Sequence, residues 1–290
     1  MHQGTQLATA RSTSLLIRPM LTEDLPAATE LSEELQWPHR LEDWELFLSI
    51  GEGLVAERDG KVIGTIMGWR FGHDRATIGM VIVGSADRGC GVGRKLMNAM
   101  IERLGDRSIS LNSTDAGVAL NESLGFVEIG RVYQHQGIVR EVPLSDLKPG
   151  ERVRPKGRAD THLAELYSDA SGTDRHELFD ALTADSRTIV KSRENEVVGF
   201  AMLRRFGSGW TIAPVVASDS DSAKTLILHW LAAKKGRFCR IDVTTESNLS
   251  GWLADIGLPS VASVRTMVRG VSPHAGTEAK VFAVAAHGWV

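Results

Sequence analysis

The sequence predicts a protein of the α/β (α+β) class with two domains, each built on a mixed sheet flanked by helices. Three observations support this fold class. The chain of 290 residues is long enough for two domains of ordinary size. One series of motifs occurs twice along the chain. Within each copy the predicted elements follow the order βααβββαβαβ, which is typical of a mixed sheet covered by helices.

The internal repeat sets the domain boundaries. Residues 62–72, which begin Val-Ile-Gly and end Arg-Phe-Gly, return as residues 197–207, which begin Val-Val-Gly and end Arg-Phe-Gly. Further on, the segment 109–126 returns as 241–258. Two long copies indicate a duplicated domain and not a solenoid. We therefore expect a flexible tail at 1–13, a first domain at 14–145, a linker or entering strand at 146–158 and a second domain at 159–290.

Local patterns place each element of the first copy. The pair Asp59-Gly60 is a strong two-residue turn signal, which predicts a hairpin. Thr22 is expected to cap the first helix, and Gly125 to end the last one. The predicted elements are strand 15–19, helices 23–35 and 42–50, strands 54–57, 62–69 and 77–83, helix 93–104, strand 108–113, helix 115–124 and strand 126–134.

Composition and charge exclude several classes of protein. Apolar residues make up 42% and charged residues 24% of the chain, which excludes a disordered or collagen-like protein. The net charge of −3 lacks the basic excess of a nucleic-acid binder. There is no apolar run long enough to span a bilayer and no secretory signal pattern. We therefore expect a cytoplasmic protein that binds neither nucleic acid nor membrane.

A glycine-rich turn carries the first sign of chemistry. The predicted strand 77–83 leads into Arg88-Gly89-Cys90-Gly91-Val92-Gly93-Arg94, and a helix follows. Glycines let a ligand approach the backbone, and the free N–H groups of a helix N-terminus attract anions. The two arginines add charge-assisted donors. The turn therefore predicts a diphosphate site, although it has neither the P-loop spacing nor the Rossmann spacing.

This turn resembles the coenzyme A loop of the GNAT (GCN5-related) N-acetyltransferases, whose pattern Arg/Gln-x-x-Gly-x-Gly/Ala follows the fourth strand. The later Leu124-Gly125-Phe126 agrees with the same family. The resemblance implies two tandem GNAT-like domains, each with a mixed, mostly antiparallel sheet, and acetyl-CoA as cosubstrate. The residues that it assigns to acetyl-CoA are Val81, Val83, Arg88, Gly89, Cys90, Gly91, Val92, Gly93, Arg94, Thr114 and Asn121.

The second copy departs from this pattern. Its equivalent turn reads Ala-Ser-Asp-Ser-Asp-Ser at 217–222, with no glycine and with two carboxylates that would repel a diphosphate. The resemblance is to the degenerate second domain of a tandem bacterial subfamily. We therefore expect coenzyme A to bind in the first domain alone.

The catalytic groups depart from the family as well. Many relatives place a tyrosine acid where this chain has Asn121, whose amide can donate a hydrogen bond to sulfur but cannot protonate a thiolate. His39, in the segment Trp37-Pro38-His39 between the first two helices, is the candidate base, and Trp37 and Trp44 are candidates for the acceptor pocket. The nine histidines show no metal-binding spacing, so no metal is expected.

Two functions follow from these residues. The first is an N-acetyltransferase that moves an acetyl group from acetyl-CoA to a small-molecule amine by direct attack. The second, which the change at Asn121 favours, is a CoA-binding or acyl-CoA-binding pseudoenzyme or sensor without turnover. For assembly we expect either a monomer whose two domains are related by a pseudo-twofold axis or a homodimer.

Overall fold

The computed structural model describes residues 14–143 and 145–290, so the predicted tail at 1–13 lies outside the described residues. Both halves follow the predicted order of elements. The first half contains β1 (Leu16–Pro19), α1 (Leu25–Glu34), α2 (Leu41–Ser49), β2 (Glu52–Arg58), β3 (Lys61–Phe71), β4 (Arg75–Val83), α3 (Val92–Leu104), β5 (Ser108–Ser113), α4 (Asp115–Ser123) and β6 (Val127–Ile138).

The second half repeats this series and adds one strand at its end. It contains β7 (Glu151–Pro155), α5 (Leu163–Ser171), α6 (His176–Ala184), β8 (Ser186–Arg193), β9 (Glu196–Phe206), β10 (Gly209–Ala217), α7 (Ser220–Ala232), β11 (Phe238–Thr244), α8 (Ser250–Asp255), β12 (Ser260–Arg269) and the additional β13 (Lys280–Ala283). The predicted linker thus contains β7, which pairs antiparallel with β8 and is the first strand of the second half.

Within the described residues, all the strands form one continuous sheet of 13 strands, in the order β1-β2-β3-β4-β5-β12-β6-β11-β13-β10-β9-β8-β7. The centre of this sheet is crossed between the halves. β12 of the second half pairs with β5 of the first, and β6 of the first half pairs with β11 of the second. β6 and β12 also pair with each other. Each half therefore completes its sheet with a strand of the other.

A repeated ion pair shows that the duplication extends to side chains. On β1 the Arg18 guanidinium donates hydrogen bonds to the Asp24 carboxylate, with Nη1 2.7 Å from Oδ2. The same carboxylate accepts a hydrogen bond from the Leu21 amide. On β7, Arg154 holds Asp160 in the same way at 2.6 Å, and this bond lowers the pKa of Asp160 to about 2. The predicted cap at Thr22 is wrong, because Thr22 lies inside a short 3-10 turn, Thr22–Asp24, that precedes α1.

One of the hydrophobic cores is shared between the halves. It joins Trp44, Phe47 and Trp69 of the first half to side chains of α5, α6 and β9, such as Phe179. Trp289, near the C-terminus, packs edge-on against Phe47 and Trp69, at centroid distances of 5.0 and 5.9 Å. The halves therefore fold around common apolar surface as well as a common sheet.

The crossed strands lead to a prediction about fragments. Residues 1–145 expressed alone should not form a stable monomer, because β5 would expose an unpaired edge and β6 would lose both of its partner strands. Coexpressed fragments 1–145 and 146–290 should copurify and recover the circular dichroism and melting transition of the intact chain. A fragment 1–145 that is monomeric and melts cooperatively by itself would contradict this.

Candidate functional site

The site begins where two parallel strands of the first half separate. β4 and β5 pair only from Arg75 with Ser108 to Ile78 with Leu111, and beyond that register they diverge. At the point of divergence β4 carries a bulge between its pairings with Thr65 and Met67, and Met80 has a positive φ of 51°. A bulge of this kind bends a strand away from its neighbour. The remainder of β4 therefore borders an open cleft, as the resemblance implies for Val81 and Val83.

The glycine-rich turn closes one end of this cleft. Gly89 and Gly91 have φ of 75° and 78°, and α3 begins directly afterwards at Val92. A Cβ atom at either glycine would meet no atom within 4 Å, so the space in front of the turn is open to a ligand. The exposed turn and the free N–H groups at the start of α3 together present hydrogen-bond donors of the kind that bind anions.

The other predicted cofactor residues lie near this turn. Arg88 and Arg94 are exposed, and their side chains bond to the Val83 carbonyl at 3.1 Å and to the Ser123 hydroxyl at 2.8 Å. Cys90 is exposed, whereas the Val92 side chain is buried in the core and leaves only its backbone to face a ligand. Thr114 stands at the start of α4, across the cleft from β4.

The equivalent cleft in the second half is filled by the chain itself. β10 and β11 pair only at Trp210 with Cys239 and at Thr211 with Arg240. In the gap beyond, β13 pairs antiparallel with β10 from Val215 to Ala217 and with β11 at Val243. The backbone groups that border the open cleft in the first half are therefore satisfied by protein in the second.

The start of α7, which is the counterpart of the start of α3, is also occupied by the protein. The Asp219 carboxylate caps α7 by accepting the Ser222 amide at 2.7 Å, and it also accepts from Ser218 and Arg193. Burial raises the pKa of Asp219, but these hydrogen bonds outweigh burial and hold it well below its ordinary value. The carboxylate is therefore ionised at the position where a diphosphate would otherwise bind.

A cavity of about 460 Å³ lies beside the divergence of β4 and β5, and both halves line it. The first half contributes the segment 35–39 between α1 and α2, the β4 bulge and the end of β5. The second half contributes β9, β10, β11 and β12, and the C-terminal segment 285–288 closes one wall. This arrangement places second-half side chains next to the cleft of the first half.

Hydrogen bonds fix the C-terminal segment in this wall. The Gly288 carbonyl accepts from the Thr77 hydroxyl at 2.6 Å, and the His287 carbonyl accepts from the Asn112 amide at 3.1 Å. Gly79 and Gly288 approach so closely that a Cβ on Gly79 would lie 2.9 Å from the Gly288 Cα. Glycine at both positions thus allows the segment to reach the base of the cleft.

The polar centre of the cavity is formed by Arg240, Asp242 and His287. Arg240 donates to both oxygens of Asp242, with Nη2 2.7 Å from Oδ2, and His287 Nε2 lies 3.2 Å from the same oxygen. Burial lowers the pKa of His287 to about 4 although Asp242 opposes this. The imidazole is therefore neutral near pH 7. Its Nε2 also lies 3.4 Å from Arg240 Nη2, which can only donate a hydrogen bond.

His39, the candidate base from the sequence, also lines this cavity, but it stands among aromatic rings. Its ring meets Phe47 and Phe206 edge-on at centroid distances of 5.7 and 5.3 Å, and its buried Nδ1 has no hydrogen-bond partner among the described residues. Burial and the nearby Arg240 charge lower the pKa of His39 to about 3. His39 is thus neutral at working pH, and nothing orients its ring as Asp242 orients His287.

Asn121 is separated from this polar centre. The side chain is buried, and its Nδ2 donates to the Ser113 hydroxyl at 2.9 Å. Its amide therefore stabilises the junction of β5 and α4, and it does not line the cavity. Of the two tryptophans proposed for an acceptor pocket, Trp37 lines the cavity, whereas Trp44 is fully buried and donates to Ser32.

Comparison with known proteins identifies the family. The profile described as "Acetyltransferase (GNAT) family" matches residues 17–126, and the profile described as "Acetyltransferase (GNAT) domain" matches residues 163–283. Together these matches cover most of the chain, and each falls in one half. The chain is a tandem-domain GNAT protein. Membership of this family indicates acyltransferase activity, and the family in general uses acetyl-CoA.

Individual relatives agree with the family assignment. This GNAT protein is 27% identical over 244 residues to the uncharacterized N-acetyltransferase YitH of Bacillus subtilis strain 168. The aligned region spans 81% of this chain and 84% of that protein. A proposed acetyltransferase from Pyrococcus horikoshii has the same fold over 100% of both chains, with a TM-score of 0.81 and 19% identity. A tandem GNAT protein from the clavulanic acid biosynthesis pathway matches 89% of this chain and 100% of its own, with a TM-score of 0.63 and 12% identity.

The polar centre of this GNAT protein was not found from the sequence. Arg240 and Asp242 lie on β11 and His287 on the C-terminal segment, whereas sequence reasoning searched for a base in the first half alone. The alternation Arg-Ile-Asp at 240–242, with two charges on one face of a predicted apolar strand, was the available signal. Within 14–143 and 145–290, no helix has the length and apolarity to cross a membrane, and no group of metal-ligating side chains is found.

The lowered pKa values of His39 and His287 lead to a prediction about stability and pH. Both have lowered pKa values in the fold, so between about pH 6.5 and 4 the unfolded chain binds protons that the folded chain does not. The free energy of unfolding should therefore fall as the pH falls through this window. His39→Gln should reduce that slope by up to about 1.4 kcal/mol per pH unit, measured by urea unfolding from pH 7 to pH 4.5.

The exposed loop histidine His73 provides the control for this experiment. His73→Gln shows the effect of replacing an exposed imidazole by the same side chain. An unchanged slope in His39→Gln would mean that His39 takes up its proton equally well in the folded chain.

Proposed function

We propose that this protein is an N-acetyltransferase that moves an acetyl group from acetyl-CoA to a small-molecule amine by direct attack, with acetyl-CoA bound in the first half alone. The observation that supports this most strongly is the contrast between the two clefts. The first cleft is open at a glycine turn and a helix N-terminus, whereas β13 and Asp219 fill the second. Family membership alone would not distinguish the halves.

The residues around the first cleft fit acetyl-CoA. The amides of the turn from Gly89 to Gly93 and the guanidinium groups of Arg88 and Arg94 would hold the diphosphate. The backbone of Val81 and Val83 on diverging β4 would pair with the pantetheine arm, in the way that β13 pairs with β10. Acetyl-CoA held by these residues would supply an acetyl thioester for the amine to attack.

The cavity beside this bulge is the proposed acceptor site. Its volume of about 460 Å³ suits a small molecule, and its walls belong to both halves of one chain. An attacking amine must lose a proton, and the Asp242–His287 pair is the group best placed to receive it. Neutral His287 would accept the proton, and Asp242 would stabilise the imidazolium that results. Water is the proposed proton donor to the departing thiolate, because the Asn121 amide cannot protonate it and donates to Ser113 instead.

The second half supplies what a partner subunit would supply in a dimer. It completes the sheet through β12, and Arg204, Arg240 and Asp242 extend into the acceptor cavity. We therefore propose that a single chain carries a complete site, and that a monomer with pseudo-twofold halves is sufficient for activity.

Acetyl-CoA binding tests the assignment to the first half. Gly91→Leu should weaken acetyl-CoA binding at least tenfold, because its side chain would enter the space in front of α3. Gly236→Leu is a matched control, since Gly236 has nearly the same φ of 77° and equally open surroundings but lies in the second half. Both variants should lose about 1–2 kcal/mol of stability from backbone strain. Calorimetric titration measures the binding.

Two outcomes of this titration would contradict the proposal. If the wild-type protein binds no acetyl-CoA, the transferase function is wrong. If Gly91→Leu and Gly236→Leu bind equally well, the cofactor site lies elsewhere in the chain.

Turnover tests the role of His287. Against a panel of small primary amines, with thiol release as the readout, His287→Gln should lower kcat at least a hundredfold because the proton acceptor is lost. Acetyl-CoA affinity should not change, since the imidazole lies outside the cofactor cleft. His229→Gln, a change on the exposed face of α7, is the control and should keep full activity.

The same assay distinguishes the transferase from the alternative function. Tight acetyl-CoA binding, with no release of the CoA thiol in the presence of any amine, would favour a sensor without turnover. A sensor does not need the tyrosine that relatives have in place of Asn121. Full activity in His287→Gln would remove His287 as the base and return His39 to that role.

A further inference from the structure

A second cavity, of about 430 Å³, lies on the other side of the C-terminal segment and shares no lining residue with the first. By the internal repeat it is the counterpart of the acceptor cavity. At the offset of 132 residues that relates 109–126 to 241–258, Thr244 and Glu246, which line it, correspond to Asn112 and Thr114, which line the first cavity. The mechanism proposed above uses none of its residues.

The most unusual group in this cavity is the guanidinium of Arg175. Its counterpart by the repeat is Arg40, which is held by the Asp43 carboxylate at 3.0 Å. The residue that corresponds to Asp43 is Leu178, so the second half keeps the arginine and has lost its carboxylate. Arg175 is only 3% exposed, and it forms no ion pair with any of the described residues.

Two buried N–H donors that line this cavity lack acceptors. Arg175 Nη1 has no hydrogen-bond partner among the described residues, and neither has Trp289 Nε1, whose side chain is 1% exposed. Within the protein, the Arg175 guanidinium donates through Nε to the Ser171 hydroxyl at 3.1 Å and stacks 4.3 Å from the centroid of the Phe71 ring. Buried donors without partners are costly, and a bound acceptor would remove that cost.

The rest of the lining is largely apolar, with further cations. Tyr167, Val281 and Val284 form apolar walls, whereas Lys280 and Arg131 contribute positive charge and Glu246 a single negative charge. An anion with an apolar body matches this surface, because its charged end would meet Arg175 and its body would be shielded from water.

We propose that this cavity binds a small carboxylate with an apolar body, and that the ligand carboxylate accepts a hydrogen bond from the unpartnered Nη1 of Arg175. The proposal does not depend on acetyl transfer. It assigns the protein a second ligand site, lined by β6 of the first half and by second-half residues that include Arg175.

Binding of 3-phenylpropanoate to the full chain, measured by calorimetry, tests this proposal. Its neutral amide, 3-phenylpropanamide, has nearly the same shape and should bind at least tenfold more weakly. Arg175→Met keeps most of the side-chain volume but removes the charge, and should weaken carboxylate binding roughly tenfold to a hundredfold. Arg187→Met, at an exposed position of β8, should bind as the wild-type protein does.

Further variants guard against a merely structural effect of Arg175. Ala275 is exposed at the cavity lining, so Ala275→Trp should block entry without disturbing the core, and it should also abolish binding. Gly91→Leu should still bind the carboxylate, which separates this site from the cofactor cleft. No binding of 3-phenylpropanoate at about 10 mM, equal binding of the amide, or unchanged binding in Arg175→Met would overturn the proposal.

Discussion

The structure depends on the crossing of β6 and β12 at the centre of the sheet. Each of these strands leaves its own half and completes the edge of the other, and the two pair with each other between β5 and β11. Exposed sheet edges are costly and prone to aggregation, and the crossing removes two of them at once. Because of it, the two copies of the repeat form one sheet.

The crossing also decides where a site can form. It brings β11, with Arg240 and Asp242, within reach of the point where β4 and β5 diverge. The C-terminal segment then passes from β13 across to Thr77 and Asn112, and delivers His287 to the same cavity. Side chains that lie more than 150 residues apart in sequence thus face one cavity.

The two halves differ in how they use the same fold. The first keeps its cleft open, with two glycines of positive φ at the turn and an uncapped start to α3. The second satisfies the corresponding backbone groups with β13 and caps α7 with Asp219. The charges have diverged in the same manner, since Arg40 keeps its carboxylate partner whereas Arg175 does not. Duplication preserved the scaffold, and local substitutions then gave each half a separate set of polar groups.

The sequence by itself determined the element order, the duplication and the glycine turn, because each depends on local periodicity and spacing. The Asp59-Gly60 turn and the helix after Gly91 are found where the sequence places them. Only the tertiary structure decided that β6 and β12 cross and that β13 fills the second cleft. It also decided that His287 contacts Asp242, whereas His39 lines the same cavity among aromatic rings. These features depend on pairings between distant strands, and no local pattern specifies which of several exposed edges a strand will join.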